Sequence, residues 1–449
     1  MRPLVPLEHG QVKIYVCGLT VQSEPHVGHM RSAVNFDVLR RWLLALNYDV
    51  TFIRNVTDVD DKIFTKAAEQ QRTWFNLAYE MRRELDRLLN LINVLPPTYE
   101  PTATGHVPEV LALIEELVAA GHAYPSLDDT SDVYFDVRSW PAYGELTNQR
   151  LADLKPAADG TRRGKRDPRD FTLWKAQKPT DPETAAWPSR FGPGRPGWHI
   201  GCSAMARKYL GPSFDIHGGG VDLRFPHHEN EQAQSRAAGN PFATYWMHNA
   251  WVTTAGEKMS KSLHNTMRVP EVLRHVRPID LRYYLVSAHY RSTVEFSLEA
   301  LREAATAFRR IEAFLHHTEA DAHRPPTPLP EGFRAAMNRD LETPAALAVL
   351  HETVKEGNRV LSSGPSPAVQ ERAAEVRAML DVLGLNPGHF NRADEDHEDA
   401  HTVEVLVKGL LAERARARAA KDWEKSDRIR ELLRSAGVEI QDAKGTPLP

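Results

Sequence analysis

The sequence predicts an α/β fold: a Rossmann-like domain with a parallel, nucleotide-binding type of sheet, interrupted by an insertion, then a helical bundle and a small terminal module. Two observations carry the prediction. A strand–helix–strand unit is legible between residues 13 and 54, and after Pro270 the pattern turns helical to the end. The first strand is the apolar run Lys13-Ile14-Tyr15-Val16-Cys17, closed by Gly18. From His29 to Ala45, Val34, Val38, Leu39, Trp42, Leu43 and Ala45 fall near one helical stripe. Asn47-Tyr48 reads as a turn and Asp49 to Arg54 as the second strand. Lys62 to Leu95 reads as helix, stopped by Pro96-Pro97. In the middle, Asp132 to Val137 is a predicted strand, residues 158–170 a basic loop, and residues 179–197 a stretch dense in Pro and Gly.

Two linkers are expected: Arg324 to Glu331, with four prolines, and the acidic Asn391 to Ala400. Residues 402–436 read as helical, with an arginine-rich stretch that ends at the helix-stopping Gly437. The expected division is therefore 1–270 for the sheet domain (insertion about 96–190), 271–323 for a connecting helical region, 324–393 for a bundle and 401–449 for the terminal module.

With 449 residues, 41% hydrophobic and 26% charged, the chain has room for about three domains and is ordinary for a globular protein. No apolar run is long enough to span a membrane, and the N-terminus lacks a secretion signal. Two cysteines, Cys17 and Cys202, exclude a disulfide scaffold and fit a reducing cytoplasmic setting. The net charge of −4 means that any nucleic-acid partner must be met by local basic patches.

Three constellations carry chemistry. Pro25-His26-Val27-Gly28-His29 follows a strand and opens a helix, where free N–H groups favour a polyphosphate; equally, the histidines could be caps. Gly256-Glu257-Lys258-Met259-Ser260-Lys261-Ser262 puts two ammonium groups in a short loop, suited to a leaving pyrophosphate or simply solvated. Third come Cys17, Cys202, His227 and Glu231. A helix begun at Pro226 would put 227 and 231 on one face, and two thiolates, an imidazole and a carboxylate suit zinc; isolated cysteines are also common as small buried apolar groups.

HxGH and KMSKS together resemble the signature of class I aminoacyl-tRNA synthetases. YVCGLTVQSEPHVGHMRSAVNFDVLRRWL, FIRNVTDVDDKI, GRPGWHIGCSAMA, DIHGGGVDLRFPHHENEQAQS and MNRDLETPAAL resemble the cysteinyl-tRNA synthetase family. So does the terminal AKDWEKSDRIRELLRSAGVEIQDAKGT. The resemblance implies one zinc ion held by Cys17, Cys202, His227 and Glu231, with the substrate thiolate completing the site. It implies that Gly18, Thr20, Thr57, Trp198 and His217 line the amino-acid pocket, with Trp198 facing the substrate ammonium or serving as a core aromatic. It implies that ATP, with Mg²⁺, meets His26, Gly28, His29, Lys258, Ser260 and Lys261. Cysteine would attack the α-phosphate, and the adenylate would pass its acyl group to tRNA(Cys). A monomer is expected by the same resemblance.

Arg414, Arg416, Arg418, Lys421, Arg428, Arg430 and Arg434, and the loop Arg162 to Arg166, are candidate tRNA contacts; interleaved acids also allow a merely solvated face. The sequence departs from the family at Gly201, Thr102, Gly105 and the tail GTPLP. Two alternatives remain: a cysteine:amino-sugar ligase of the mycothiol-pathway type, and a specialised or non-catalytic paralogue.

Overall fold

The computed structural model describes residues 2–157, 164–254, 257–258, 267–318, 327–390, 395–420 and 422–435. In chain order its elements are β1 (Gln11–Val16), α1 (Val27–Ala45), β2 (Asp49–Arg54), α2 (Asp61–Glu69), α3 (Trp74–Leu91), α4 (Val107–Ala119), β3 (Ala123–Pro125), β4 (Val133–Phe135), β5 (Phe171–Ala176) and β6 (Gly194–Pro196). There follow α5 (Ile200–Leu210), β7 (Ser213–Gly220), α6 (Glu229–Ala237), β8 (Phe242–Asn249), β9 (Val252–Thr254), β10 (Glu257–Lys258), α7 (Val269–Val272), α8 (Pro278–Val286) and β11 (Val294–Glu295). Helices α9 (Leu298–His316), α10 (Glu331–Asn338), α11 (Thr343–Leu361), α12 (Pro367–Leu383), α13 (Glu395–Ala419) and α14 (Trp423–Ser435) complete the chain.

β1 is central in a parallel sheet of order β2-β1-β7-β8. Its side chains alternate between two apolar layers, as the period of two requires. Val12, Ile14 and Val16 join Phe52 and Ile216 beneath α1, while Tyr15 points the other way, with Ile53, Phe214 and Cys202 of α5. Chain order leads out from β1 to β2 on one side and from β7 to β8 on the other. The reversal opens a crevice at the strands' carboxyl ends, where ligands of such sheets bind.

The insertion is an antiparallel sheet, β3-β4-β5-β6, that runs on to Pro196, past the expected limit near 190. It holds α2 through Asp61, which meets both Lys175 (2.7 Å) and Arg195. Burial alone would raise the Asp61 pKa, but these two cations outweigh it and hold the carboxyl at about 2. The contact therefore persists above the usual carboxylate range and weakens as pH falls towards 2.

The helices α8 to α12 share one continuous core with the sheet. Trp42 of α1 meets Phe333 of α10 edge-on, with ring centroids 6.4 Å apart. A contiguous unit spans Met1–Phe390, and Asn391–Pro449 forms a second unit.

Several sequence expectations need correction. The helix read from Lys62 to Leu95 is two helices, because Gln71 turns left-handed (φ 53°) between α2 and α3. β4 is shorter than the predicted 132–137, and β11 interrupts the helical stretch after Pro270. Residues 395–400 of the expected acidic linker already belong to α13; the arginine-rich stretch is helical as expected and divides into α13 and α14. The helix start expected at Pro226 holds: Phe225 is extended (φ −136°, ψ 133°), and from Pro226 a wide π turn carrying His227 runs directly into α6.

Candidate functional site

A cavity of about 570 Å³ opens at the carboxyl ends of the strands. Cys17, Gly18, Thr20, Thr57, Trp198, Cys202 and His227 line one part; His26, Gly28, His29, Gly220, Asp222 and Trp251 line another.

Cys17 directly follows β1 on the alternation that points Tyr15 towards α5, so it faces Cys202, and the two Sγ atoms are 3.7 Å apart. Glu231 Oε1 is 3.1 Å from Cys17 Sγ and 3.1 Å from His227 Nε2. The four donor atoms lie within 4.8 Å of one another. A tetrahedral zinc with bonds to sulfur of about 2.3 Å has an S···S edge of about 3.8 Å, so the spacing fits. The charges fit as well. Burial, then Cys202 and Glu231, push the Cys17 thiol well up, because adjacent anions disfavour one another unless a cation lies among them. Burial holds His227 near a pKa of about 3, in the neutral form that ligates.

His217, in β7, is fully buried. Its Nε2 lies 2.9 Å from Glu231 Oε2, behind the carboxylate. With Cys17, His228 and Glu231 it forms a second set of donors close enough to share an ion. Sequence reasoning missed several neighbours. His199 Nδ1 is 2.9 Å from His227 Nδ1, and His228 Nδ1 is 2.8 Å from His248 Nε2. Asn55 Oδ1 accepts from the Gly18 amide (2.9 Å). A Cβ on Gly18 would lie 1.6 Å from the Asn55 carbonyl oxygen, so only glycine fits beside Cys17. Periodicity could not find these residues; the local signal was the unusual density of His in residues 217–248.

On the other wall, the two readings of the HxGH histidines prove compatible. His26 Nδ1 accepts from the Gly28 amide and His29 Nδ1 accepts from the His26 amide, each at 3.1 Å. They cap α1 reciprocally and also line the cavity, with stacked rings 3.6 Å apart. With both Nδ1 atoms accepting, neutral rings carry their protons on Nε2. Asparagine Oδ1 can accept in place of Nδ1, but its Nδ2 does not reach the position of the imidazole Nε2. His29→Asn is therefore expected to keep its melting temperature within a few degrees and lose about 10²–10³-fold in kcat for ATP–pyrophosphate exchange.

Lys258 ends β10, opposite Thr253. Met267 O accepts from the Val27 amide (3.2 Å), so the chain beyond the KMSKS segment returns to the start of α1. Ser260 and Lys261 lie outside the described residues. Gly201 sits in α5, where an added Cβ would make ordinary contact with Met205 at 3.6 Å. Thr102 Oγ1 accepts from the Gly105 amide (3.3 Å), a local turn contact; the GTPLP tail is outside the described residues.

Of the candidate tRNA contacts, Arg414 is corrected: it is buried within its own unit rather than presented to solvent. Arg416, Arg418, Arg428 and Arg430 are exposed, Arg430 beside Asp427 at 3.1 Å; Lys421 and the side chain of Arg434 are outside the described residues. In the insertion, Lys165 and Arg166 lie over the Tyr134 and Tyr124 rings at 5.2 and 4.1 Å; Arg162 is outside the described residues. Among the described residues no helix is long and apolar enough to cross a membrane.

The family model for the class I (C) tRNA synthetase catalytic domain matches residues 3–306, and the DALR domain model matches residues 332–386. A cysteine–tRNA ligase of Nocardioides sp. is 62% identical over 467 residues, covering 100% of this chain and 96% of its own. One from Streptomyces griseus is 52% identical over 453 residues, covering 100% and 96%. A Mycobacterium tuberculosis methionyl-tRNA synthetase in complex with methionyl-adenylate shares the fold, with a TM-score of 0.57, 17% identity and coverage of 83% of this chain and 89% of its own.

Proposed function

The chain belongs to the cysteine–tRNA ligase family of class I synthetases, and from that premise we propose how its residues charge tRNA(Cys) with cysteine at the expense of ATP. The observation that carries the assignment is the convergence of Cys17, Cys202, His227 and Glu231 in one cavity with the HxGH histidines. These four hold zinc; the alternative set has one thiol instead of two and suits a thiophilic ion less well. When bound, the metal supplies a soft Lewis-acid centre that favours the substrate thiolate over the hydroxyl of serine.

The chain's own groups do the rest. Gly18, Thr20, Thr57 and Trp198 shape the space around the amino acid. The substrate carboxylate attacks the α-phosphate in line, a step that needs position and charge neutralisation more than covalent help. His26 and His29 donate from Nε2 to the transferring phosphates, and Lys258 and Lys261, with Mg²⁺ on the nucleotide, hold the departing pyrophosphate. The terminal ribose hydroxyl of tRNA(Cys) then takes the acyl group.

The amino-sugar ligase and the non-catalytic paralogue are not favoured: the curated relatives match over the whole length, and the bundle carries a DALR domain. The direct test is cysteine-dependent ATP–pyrophosphate exchange followed by acyl transfer to purified tRNA(Cys), before and after chelation. Both activities should fall on chelation and return with zinc. Exchange without transfer to tRNA would overturn the reading.

A further inference from the structure

We propose that Lys62, with Lys66 one turn later on α2, is the cation that meets the last phosphodiester of the tRNA 3′ end at the mouth of the cavity. The inference rests on the reading just given. Both side chains are exposed and both line the cavity, on the side that carries Trp198. Their helix is firmly placed. Asp60 caps it by accepting from the Lys62 amide (2.9 Å), Ile63 and Ala67 are buried beneath it, and Asp61 fastens it to the insertion sheet.

Lys62 is an odd residue for its position. It is the second residue of the helix, where the positive end of the backbone dipole disfavours a cation. Lys66 repeats the charge at i+4, a further repulsion, and has Glu69 beside it (2.6 Å). Among the described residues no carboxylate lies within ion-pair distance of Lys62. Its ammonium rests instead over the Trp198 ring, 5.6 Å from the centroid. Trp198 in turn packs on His227, with centroids 4.5 Å apart, so the ammonium stands directly over the amino-acid end of the site.

Lys62 is therefore placed to meet an anion that comes from outside the fold. The phosphates of ATP have their own donors on the α1 wall. The acyl acceptor brings another: once its terminal ribose reaches the activated carboxyl, the phosphodiester on that ribose lies just outside, at the mouth. A flexible, strongly hydrated point charge suits a phosphate that must arrive and leave in every cycle. Contact with the substrate carboxylate is the competing role, and it would act on a different step.

The test uses the full-length, metal-loaded enzyme and the variants Lys62→Gln, Lys62→Arg and Lys66→Gln. Three quantities are read: cysteine-dependent ATP–pyrophosphate exchange without tRNA, KM for a tRNA(Cys) transcript, and the salt dependence of charging. For Lys62→Gln, exchange should stay within about twofold while KM for tRNA rises about tenfold, the loss of one charge-assisted contact. The slope of log kcat/KM against log salt should become shallower by about 0.7, the value for one phosphate of a single strand. Lys66→Gln should show the same pattern more weakly, and Lys62→Arg should restore both KM and slope. A parallel fall in exchange would assign Lys62 to the amino acid and overturn the proposal, as would unchanged KM and slope. Charging by the wild type is the control: its failure would sink the substrate reading, and the assignment with it.

Discussion

Cys202→Ser is expected to abolish charging by removing the metal. Its Sγ is almost fully buried, 3.7 Å from Cys17 Sγ, at the base of the cavity. A serine hydroxyl is a hard, protonated donor on a shorter bond, so it replaces neither the thiolate's charge nor its reach. Zinc measured on dialysed protein should fall from about one ion per chain to a small fraction. ATP–pyrophosphate exchange should drop by more than about 100-fold, since even losing the partners of a ligand costs 10–100-fold. The volume change is small, so the circular dichroism spectrum should be preserved. Unchanged zinc content with unchanged exchange would remove Cys202 from the ligand set. A folded variant that keeps zinc but loses the preference for cysteine over serine would restrict Cys202 to substrate selection.

The second large effect concerns stability. Asp37 of α1 and Arg282 of α8 form a fully buried pair. Arg41 adds a second cation at 2.8 Å, and the Leu95 amide donates to Asp37 at 2.9 Å. The Arg282 guanidinium directs three more of its protons to the carbonyls of Ile92, Asn93 and Leu383, each at 2.9 Å. One side chain thereby joins α1, the end of α3 and the end of α12. Gly384 adapts to it: φ is +67°, and a Cβ there would lie 2.2 Å from Arg282 Nη2. Asp37→Asn keeps the shape and leaves two guanidinium groups without their counter-charge. Breaking a buried pair in this way costs about 3–5 kcal/mol. Because the sheet and bundle share a core, the loss should appear as one cooperative transition at lower temperature or denaturant. Burial alone would raise the Asp37 pKa, but Arg282 and Arg41 pull it below the usual carboxylate value. The native advantage is therefore complete above that range and disappears with acid; Asp37→Asn should flatten the acid limb of the stability curve. A variant as stable as the parent at neutral pH would contradict this account.

Much of the sheet domain was legible because its signals are local. The apolar run before Gly18, the stripe on α1 and the second strand each repeat with their own period, and the structure places all three within a few residues of expectation. The metal donors could be named one by one, but their meeting depends on β1, α5 and α6 packing together, which spacing does not encode. The breaks were missed for a related reason. At Gln71 a left-handed residue that is not glycine splits the helix, stabilised by its surroundings rather than announced by composition. His217 was named from the resemblance alone; its contact with Glu231 (2.9 Å) depends on β7 and α6 meeting, which no local pattern encodes.

α1 is capped by the cavity-lining histidines at one end and gripped by Arg282 through Asp37 about 12 Å further along, at 1.5 Å per residue from His29. That makes it a lever with its fulcrum in the bundle. A tilt of about 5° about Asp37 would carry His29 through about 1 Å, a displacement on the scale that costs a reaction two orders of magnitude. Small errors in how the remote helices seat should therefore surface first as slow chemistry, before any loss of folded protein can be detected.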